Sequence, residues 1–213
     1  MATTRWRVSI TGVRPLLWHR FGPEAIPLDR KARTGVAGND PEEWRQTVLA
    51  TKDHQLYLEP SYIFGCLREG GKHTSIKRGT LQSRIACTLQ VIDERVLLDR
   101  WLPKTDLKAL IQAEDKPVYL DVRSVRNPAT KGRNVRYRVA ASSGWTTSFD
   151  IAWDDTIVSD GQMRAVMIDA GKFVGLGDGR SIGFGRFTIS SVNPISENAK
   201  KPAAKRTVAK APR

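Results

Sequence analysis

A glycine-rich segment near the end of the chain carries residue types that could hold a phosphate group. Residues 175–186 read GLGDGRSIGFGR, with five glycines among the first eleven residues. Glycine permits positive φ angles and lets a backbone approach a ligand closely. The N–H groups of such a backbone, together with the guanidinium groups of Arg180 and Arg186, could bind an anion. The alternative is a tight helix-to-strand connection in which the glycines serve packing only.

The predicted elements around this segment exclude two common nucleotide-binding motifs. The segment follows a predicted helix and enters a predicted strand, which reverses the strand-turn-helix order of a dinucleotide-binding turn. It also lacks the Gly-Lys-Ser/Thr triplet of a phosphate-binding loop. The segment is therefore suited to binding phosphate groups rather than to recognising a nucleotide cofactor. No cofactor is predicted.

Two further stretches concentrate positive charge. Residues 123–138 contain six basic residues and no acid, and residues 68–84 contain five basic residues against Glu69 alone. An ordinary solvated surface mixes both signs of charge, so these one-sided runs favour contact with a polyanion. The candidate phosphate contacts in the two stretches are Arg68, Lys72, Lys77, Arg78, Arg126, Lys131 and Arg133.

Hydrophobic periodicity places these residues in a mixed α+β chain. Trp6, Val8 and Ile10 alternate with polar residues, as in a half-buried strand. Helices are predicted after Asp40, which could cap the first of them, after Ser61, and after Ser159, where Gln162 completes a capping box. Further strands are predicted over 56–58, 88–98, 118–125, 135–141, 145–153 and 187–192. This order indicates a ferredoxin-like antiparallel sheet with packed helices and a basic β-hairpin.

Composition excludes several classes of protein. The chain has 213 residues, a formal net charge of +13, 40% hydrophobic and 27% charged residues. These values argue against a chain that is disordered throughout, and the apolar runs are too short for a membrane protein. The first residues alternate instead of forming a signal peptide, so we expect a cytoplasmic protein. Two cysteines make no disulfide framework, and we expect both Cys66 and Cys87 to be buried thiols.

The last 17 residues differ from the rest of the chain. They carry six basic groups, one acid and no aromatic residue, and such a segment cannot bury enough surface to offset its chain entropy. We therefore expect one domain over residues 1–195 and a disordered basic tail over 196–213. The tail is equally compatible with a role in solubility and with nonspecific contact to nucleic acid.

Two segments of the chain resemble motifs of a known family. A helix that runs into residues 175–186 resembles the glycine-rich loop of the RAMP superfamily, the RNA-binding proteins of CRISPR effector complexes. Residues 60–68, PSYIFGCLR, are similar to the element of its backbone subunits in which a helix start grips guide-RNA phosphates. Phe64 stands where a basic residue is usual, whereas Arg68 is retained. The resemblance adds these candidate RNA contacts: Ser61, Gly175, Gly177, Gly179, Ser181, Gly183 and Gly185.

The resemblance also implies an architecture and partners. It implies an RRM-like sheet with a protruding hairpin, and RNA, further copies of the chain and other effector subunits as partners. The chain is also similar to short stand-alone proteins of this kind in phages and mobile elements. The superfamily has enzymatic branches as well, and these imply two candidate catalytic residues in this chain.

The first candidate is His19, which could act as general base or acid in metal-independent attack by a ribose 2′-OH. The second is Asp29, in the loop after the first strand, where target-cleaving subunits use an aspartate for metal-dependent cleavage. A histidine beside Trp18 is explained as well by a structural role, and Asp29 has no acidic partner nearby in sequence. No metal site is therefore predicted.

The function predicted from the sequence is a noncatalytic RNA-binding subunit. It would grip the phosphate backbone of a guide or another single strand and assemble as a multimer along it. An endoribonuclease and a single-stranded DNA-binding protein of a mobile element remain open alternatives. The sequence shows no pattern of exposed aromatic residues, so it does not support base stacking.

Overall fold

The structure is a computed structural model that describes residues 3–20, 41–126 and 132–195. The strands are β1 (Thr3–Gly12), β2 (Leu16–Leu17), β3 (Gln55–Leu58), β4 (Gln90–Val91), β5 (Val96–Trp101), β6 (Val118–Arg126), β7 (Arg133–Ala141), β8 (Thr146–Asp154) and β9 (Phe187–Pro194). The α-helices are α1 (Glu43–Thr47), α2 (Pro60–Gly70), α3 (Gln82–Thr88) and α4 (Asp160–Asp169). None of the helices in these ranges is long and apolar enough to cross a lipid bilayer.

The central element is an antiparallel sheet with the strand order β3-β5-β8-β1-β9, in which β4 also pairs with β8. Along the chain, β1, α2 and β5 form one strand-helix-strand half, and β8, α4 and β9 form the other. The halves interleave, because β1 and β8 are neighbours in the middle of the sheet. The predicted ferredoxin-like α+β fold is confirmed.

The core lies between this sheet and the helices α2 and α4. Trp6 and Val8 on β1 are buried opposite Ile151 and Phe149 on β8, as the alternating pattern predicts. Helix α4 begins with the predicted capping box, in which Ser159 and Gln162 bond reciprocally. The two helices approach closely at Gly70, where an added Cβ would lie 2.8 Å from the carbonyl oxygen of Val166 on α4.

A second, smaller sheet has the order β2-β7-β6. Its β6–β7 hairpin is inserted between β5 and β8 and has nine register pairs, from Val118↔Ala141 to Arg126↔Arg133. Side chains at the inner end, such as Tyr119 and Ala140, are buried. At the outer end the basic side chains of Arg126 and Arg133 are exposed, as predicted, whereas the tip, with Lys131, lies outside the described residues.

Several local predictions differ from the structure. Helix α2 starts at Pro60, as proline favours, with Glu59 at the N-cap position and no side-chain cap bond. Ser61, the predicted cap, therefore lies inside its first turn. Helix α1 begins at Glu43 with Glu42 at the N-cap position, and Asp40, which the sequence predicted as its cap, lies outside the described residues. The chain is helical through Thr88, and strand pairing starts only at Gln90, because a short apolar run fits either structure until packing selects one.

Candidate nucleic-acid interface

A groove with a volume of about 1190 Å³ brings together four separate parts of the chain. Its walls come from α2, the outer part of the β6–β7 hairpin, the end of the π-helical turn Ala170–Val174 and the glycine-rich segment 175–186. We call it the cationic groove. The predicted contacts that line it are Ser61, Arg68, Arg126, Gly177, Gly179, Arg180, Ser181 and Arg186.

The glycine-rich segment forms a loop that is fastened to β2. The N–H of Asp178 donates to the carbonyl of Leu17 at 2.9 Å, and the N–H of Gly185 donates to the carbonyl of Pro15 at 2.8 Å. Gly177 has a φ of +70°, and a Cβ there would lie 2.4 Å from the Leu17 carbonyl oxygen. Packing therefore requires glycine at this position, which is one of the two explanations that the sequence left open.

The tip of this loop is a 3₁₀ turn, Arg180–Ile182, whose three side chains are exposed. Within the part of the chain that the structure describes, the N–H groups of Arg180 and Ser181 donate no hydrogen bond. Arg186 reaches back to the turn, where its Nη2 donates to the Arg180 carbonyl at 3.5 Å. The loop thus presents backbone donors and two guanidinium groups on one surface, which suits an anion.

Arg138 also lines the groove, although the sequence analysis did not select it. Its side chain is only 7% exposed, and its Nε lies 3.0 Å from Asp178 Oδ2 in an ion pair. Its direct neighbour across the hairpin is Asp121, which is fully buried and accepts a 2.6 Å hydrogen bond from Arg123. The ion pair with Asp178 holds the guanidinium of Arg138 at the wall of the groove. The sequence signal that could have identified Arg138 is the alternation of Arg136 and Arg138 on β7.

Positive charge exceeds negative charge in the groove. Its lining contains five arginines, namely Arg68, Arg126, Arg138, Arg180 and Arg186, against two acids, Glu69 and Asp178. Glu69 is paired with both Lys72 and Arg68. The hydrogen bond from Lys72 and then that from Arg68 lower the pKa of Glu69 below its ordinary value. Glu69 therefore stays ionised and holds two cations beside the groove.

The remaining predicted contacts lie elsewhere. Lys72 follows α2, while Lys77 and Arg78 are exposed on the turn that precedes α3. Arg133 is exposed at the outer end of β7. Gly175, Gly183 and Gly185 belong to the loop, but they do not line the groove.

The structure describes one of the two candidate catalytic residues, His19. His19 follows β2, and its Nε2 lies 3.1 Å from Glu43 Oε1. It does not line the groove. Glu43 also pairs with Arg136 and accepts a bond from the N–H of Tyr137. Burial would raise the pKa of Glu43, but His19 and Arg136 lower it below its ordinary value. Asp29 lies outside the described residues, so both catalytic roles stay predictions.

The described residues contain no group of three or more His, Cys, Asp or Glu side chains that could hold a metal ion. The groove does contain aromatic side chains, from Tyr62, His73 and Phe173. Sequence patterning missed them as a group, because they come from α2, the segment after it and the turn after α4.

The chain is similar in fold to known structures. No protein-family model matches it, and no curated protein is similar to it. A solved structure does match. It is titled "Cryo-EM structure of the Type III-B Cmr-beta bound to cognate target RNA", and one of its chains superposes with a TM-score of 0.50 at 14% sequence identity.

The match covers 91% of this chain and 61% of that chain. This chain therefore spans about three fifths of the length of the solved chain that it matches. At 14% identity the likeness is one of fold, which by itself does not assign a function.

Proposed function

We propose that this protein is a noncatalytic RNA-binding subunit that holds the phosphate backbone of a guide or another single strand and assembles as a multimer along it. The observation that carries the proposal is the cationic groove, in which three elements place five arginines against two acids. Contacts to phosphate give affinity and position the strand without selecting a sequence. A groove of this charge attracts polyanions more strongly as the salt concentration falls.

The two segments that resemble the RAMP superfamily support RNA as the polyanion. Residues 60–68 and 175–186 are more than a hundred positions apart in the sequence, yet both line the same groove. The resemblance implies a grip on guide-RNA phosphates for each of them, and the groove lets them act on one strand. The similarity in fold to a Cmr-beta chain bound to target RNA agrees with this proposal and favours a CRISPR effector complex, with further subunits, as its context.

The position of His19 supports a binding role rather than cleavage. Its ring is hydrogen-bonded to Glu43, which is itself paired with Arg136. This is the arrangement of a structural ion pair, and it lies apart from the groove lining. A general base must reach the proton that it removes, and a strand in the groove would not bring its ribose to this ring.

The test is a pair of double variants of equal net charge. Arg68→Ala with Arg180→Ala removes two cations from the groove, and Lys52→Ala with Lys104→Ala removes two exposed cations elsewhere. We expect the groove variant to bind single-stranded RNA of every sequence more weakly. Its slope of log K against log salt should fall by roughly 1.4, at about 0.7 for each lost phosphate contact. The control variant should keep the slope of the unmodified protein.

The same titrations distinguish the alternatives. Equal affinity and equal slope for the two double variants would contradict the proposal. Tighter binding of DNA than of RNA of the same sequence would favour the single-stranded DNA-binding protein. Discrete RNA products after long incubation, with or without Mg²⁺, would favour the endoribonuclease, and His19→Ala would then identify the metal-independent form by its loss of cleavage.

A further inference from the structure

The cationic groove contains an aromatic surface that a phosphate grip does not use. Phe173, at the end of the π-helical turn, lines the groove and is 44% exposed. His73 lies beside it with the ring centroids 5.1 Å apart and the planes inclined by 39°. The Lys172 ammonium is 5.1 Å from the centre of the Phe173 ring. An exposed phenyl ring among charged groups is unfavourable in water, and a flat ligand that covers it would remove that cost.

The two rings are held in place by the elements that carry them. The hydroxyl of Thr74, next to His73, donates to the Asp169 carboxylate at the end of α4 at 2.7 Å. The turn that carries Phe173 packs against β9 at Gly171, where an added Cβ would lie 2.3 Å from the Phe187 carbonyl oxygen. Short π-helical turns of this kind occur frequently at functional sites. The aromatic pair is therefore a positioned surface.

A second exposed apolar side chain faces the same space. Ile182 lines the groove on the 3₁₀ turn, directly after Arg180 and Ser181, and is 66% exposed. The groove thus combines guanidinium groups with two uncovered hydrophobic surfaces. A duplex offers phosphates at its surface while its bases stack on each other. An unpaired nucleotide offers a phosphate and, a few ångströms away, a bare aromatic face.

We propose that Phe173, supported by His73, forms a stacking subsite for one unpaired nucleobase of the strand held in the groove. The inference rests on the proposed function and narrows its ligand to a strand that is single at this point. Every base has a flat aromatic face, so the subsite accepts any base and adds affinity without sequence selection. Lys172 is exposed and has a flexible side chain, so it can leave the ring and pair with a phosphate instead.

The test compares three variants and two strands. Phe173→Ala removes the ring, Phe173→Tyr keeps it, and Ile168→Ala removes an exposed apolar side chain that does not line the groove. Each protein is titrated with a single-stranded RNA and with the same strand made abasic throughout. We expect Phe173→Ala to bind the intact RNA about 5- to 100-fold more weakly. We expect Phe173→Tyr and Ile168→Ala to bind it like the unmodified protein.

Two features of the result identify stacking. The salt slope of Phe173→Ala should equal that of the unmodified protein, because a stacked base releases no counterions. All four proteins should bind the abasic strand alike. A separate measurement uses the unmodified protein and RNAs that carry 2-aminopurine at one position each. The fluorescence of 2-aminopurine should fall on binding at one of these positions.

Some outcomes would overturn the inference while leaving the proposed function intact. They are an unchanged affinity of Phe173→Ala for intact RNA, an equal loss for intact and abasic strands, and 2-aminopurine fluorescence that does not fall at any position. The equal loss would point to a contact of Phe173 with another protein chain. If Arg68→Ala with Arg180→Ala bound RNA with the same affinity and salt slope as the unmodified protein, the proposed function itself would fail.

Discussion

At the scale of single residues, the two cysteines show how surroundings set chemistry. Cys66 is buried in α2, and burial raises the pKa of its thiol to about 12. Its Sγ donates a long hydrogen bond to the Ala170 carbonyl at 3.9 Å. Cys87 lies on α3 and is exposed, so the expectation that both thiols are buried is wrong for Cys87. The seven-residue helix α3 buries only Ile85.

This contrast predicts the reactivity of each thiol. Because the thiolate is the nucleophile, iodoacetamide at pH 8 should modify Cys87 in the folded protein and leave Cys66 unmodified. After denaturation both should react. Mass spectrometry of the alkylated peptides measures the two sites separately, and Cys87→Ser provides a protein with no rapidly modified thiol. Modification of Cys66 in the folded protein as fast as in denaturant would contradict the burial of this residue.

At the scale of elements, the glycine-rich loop depends on its attachment to β2 and on closure of its own base. The N–H of Leu176 donates to the Gly185 carbonyl at 2.9 Å, which closes the loop. Gly185 has a φ of +68°, and an added Cβ there would lie 1.8 Å from the Leu176 carbonyl oxygen. Gly183 has a φ of +94°, but nothing lies within 4 Å of an added Cβ. The two glycines therefore share the left-handed conformation and differ in the space around them.

Substitution by alanine should separate these two effects. Gly183→Ala should lower the free energy of unfolding by about 1–2 kcal/mol, because only the left-handed conformation is penalised. Gly185→Ala should cost a further 1–3 kcal/mol or so, because the backbone must also move away from Leu176. Urea denaturation of both variants measures the difference. Equal losses of stability would show that close packing at the base of the loop contributes nothing.

At the scale of the whole molecule, Glu43 connects parts that are distant in the chain. It bonds to His19 after β2 and to Arg136 on β7, so it ties helix α1 to the smaller sheet. These partners hold its pKa below the ordinary value even though burial opposes this. A carboxyl group whose pKa is lowered by folding stabilises the folded state while it is ionised and loses that effect on protonation.

The pH dependence of stability should report this connection. Glu43→Gln should lower the free energy of unfolding at pH 7 by about 1.5–3 kcal/mol, the usual contribution of hydrogen bonds to charged groups. The deficit should shrink as the pH falls from about 5 through the ordinary glutamate value of about 4.3 and below, because the unmodified protein then loses the same interaction. Denaturation curves at several pH values measure both quantities.

The control for this experiment is Glu94→Gln, at an exposed carboxylate that has no ion pair among the described residues. We expect this variant to follow the unmodified protein at every pH. A deficit for Glu43→Gln that is the same at pH 3 and at pH 7 would mean that the ionised form of Glu43 does not contribute to the attachment of α1.

The sequence by itself determined the features that depend on neighbouring residues. The alternation of Trp6, Val8 and Ile10 predicts β1, and Ser159 with Gln162 predicts the start of α4, because strand and cap patterns are local. The ferredoxin-like order of elements followed from such patterns. The excess of positive charge and the glycine-rich segment can also be read directly from the sequence. The sequence could not distinguish a packing role of the glycines from a ligand contact, and at Gly177 packing requires glycine.

Only the tertiary structure decided which of these residues share a site. The burial of Arg138 beside Asp178 depends on where the hairpin meets the loop. The pair of Phe173 and His73 joins residues that are 100 positions apart in the sequence. Periodicity describes which face of an element a side chain occupies. It carries no information on which other element covers that face, and that is settled by the path of the chain and by the packing of the whole core.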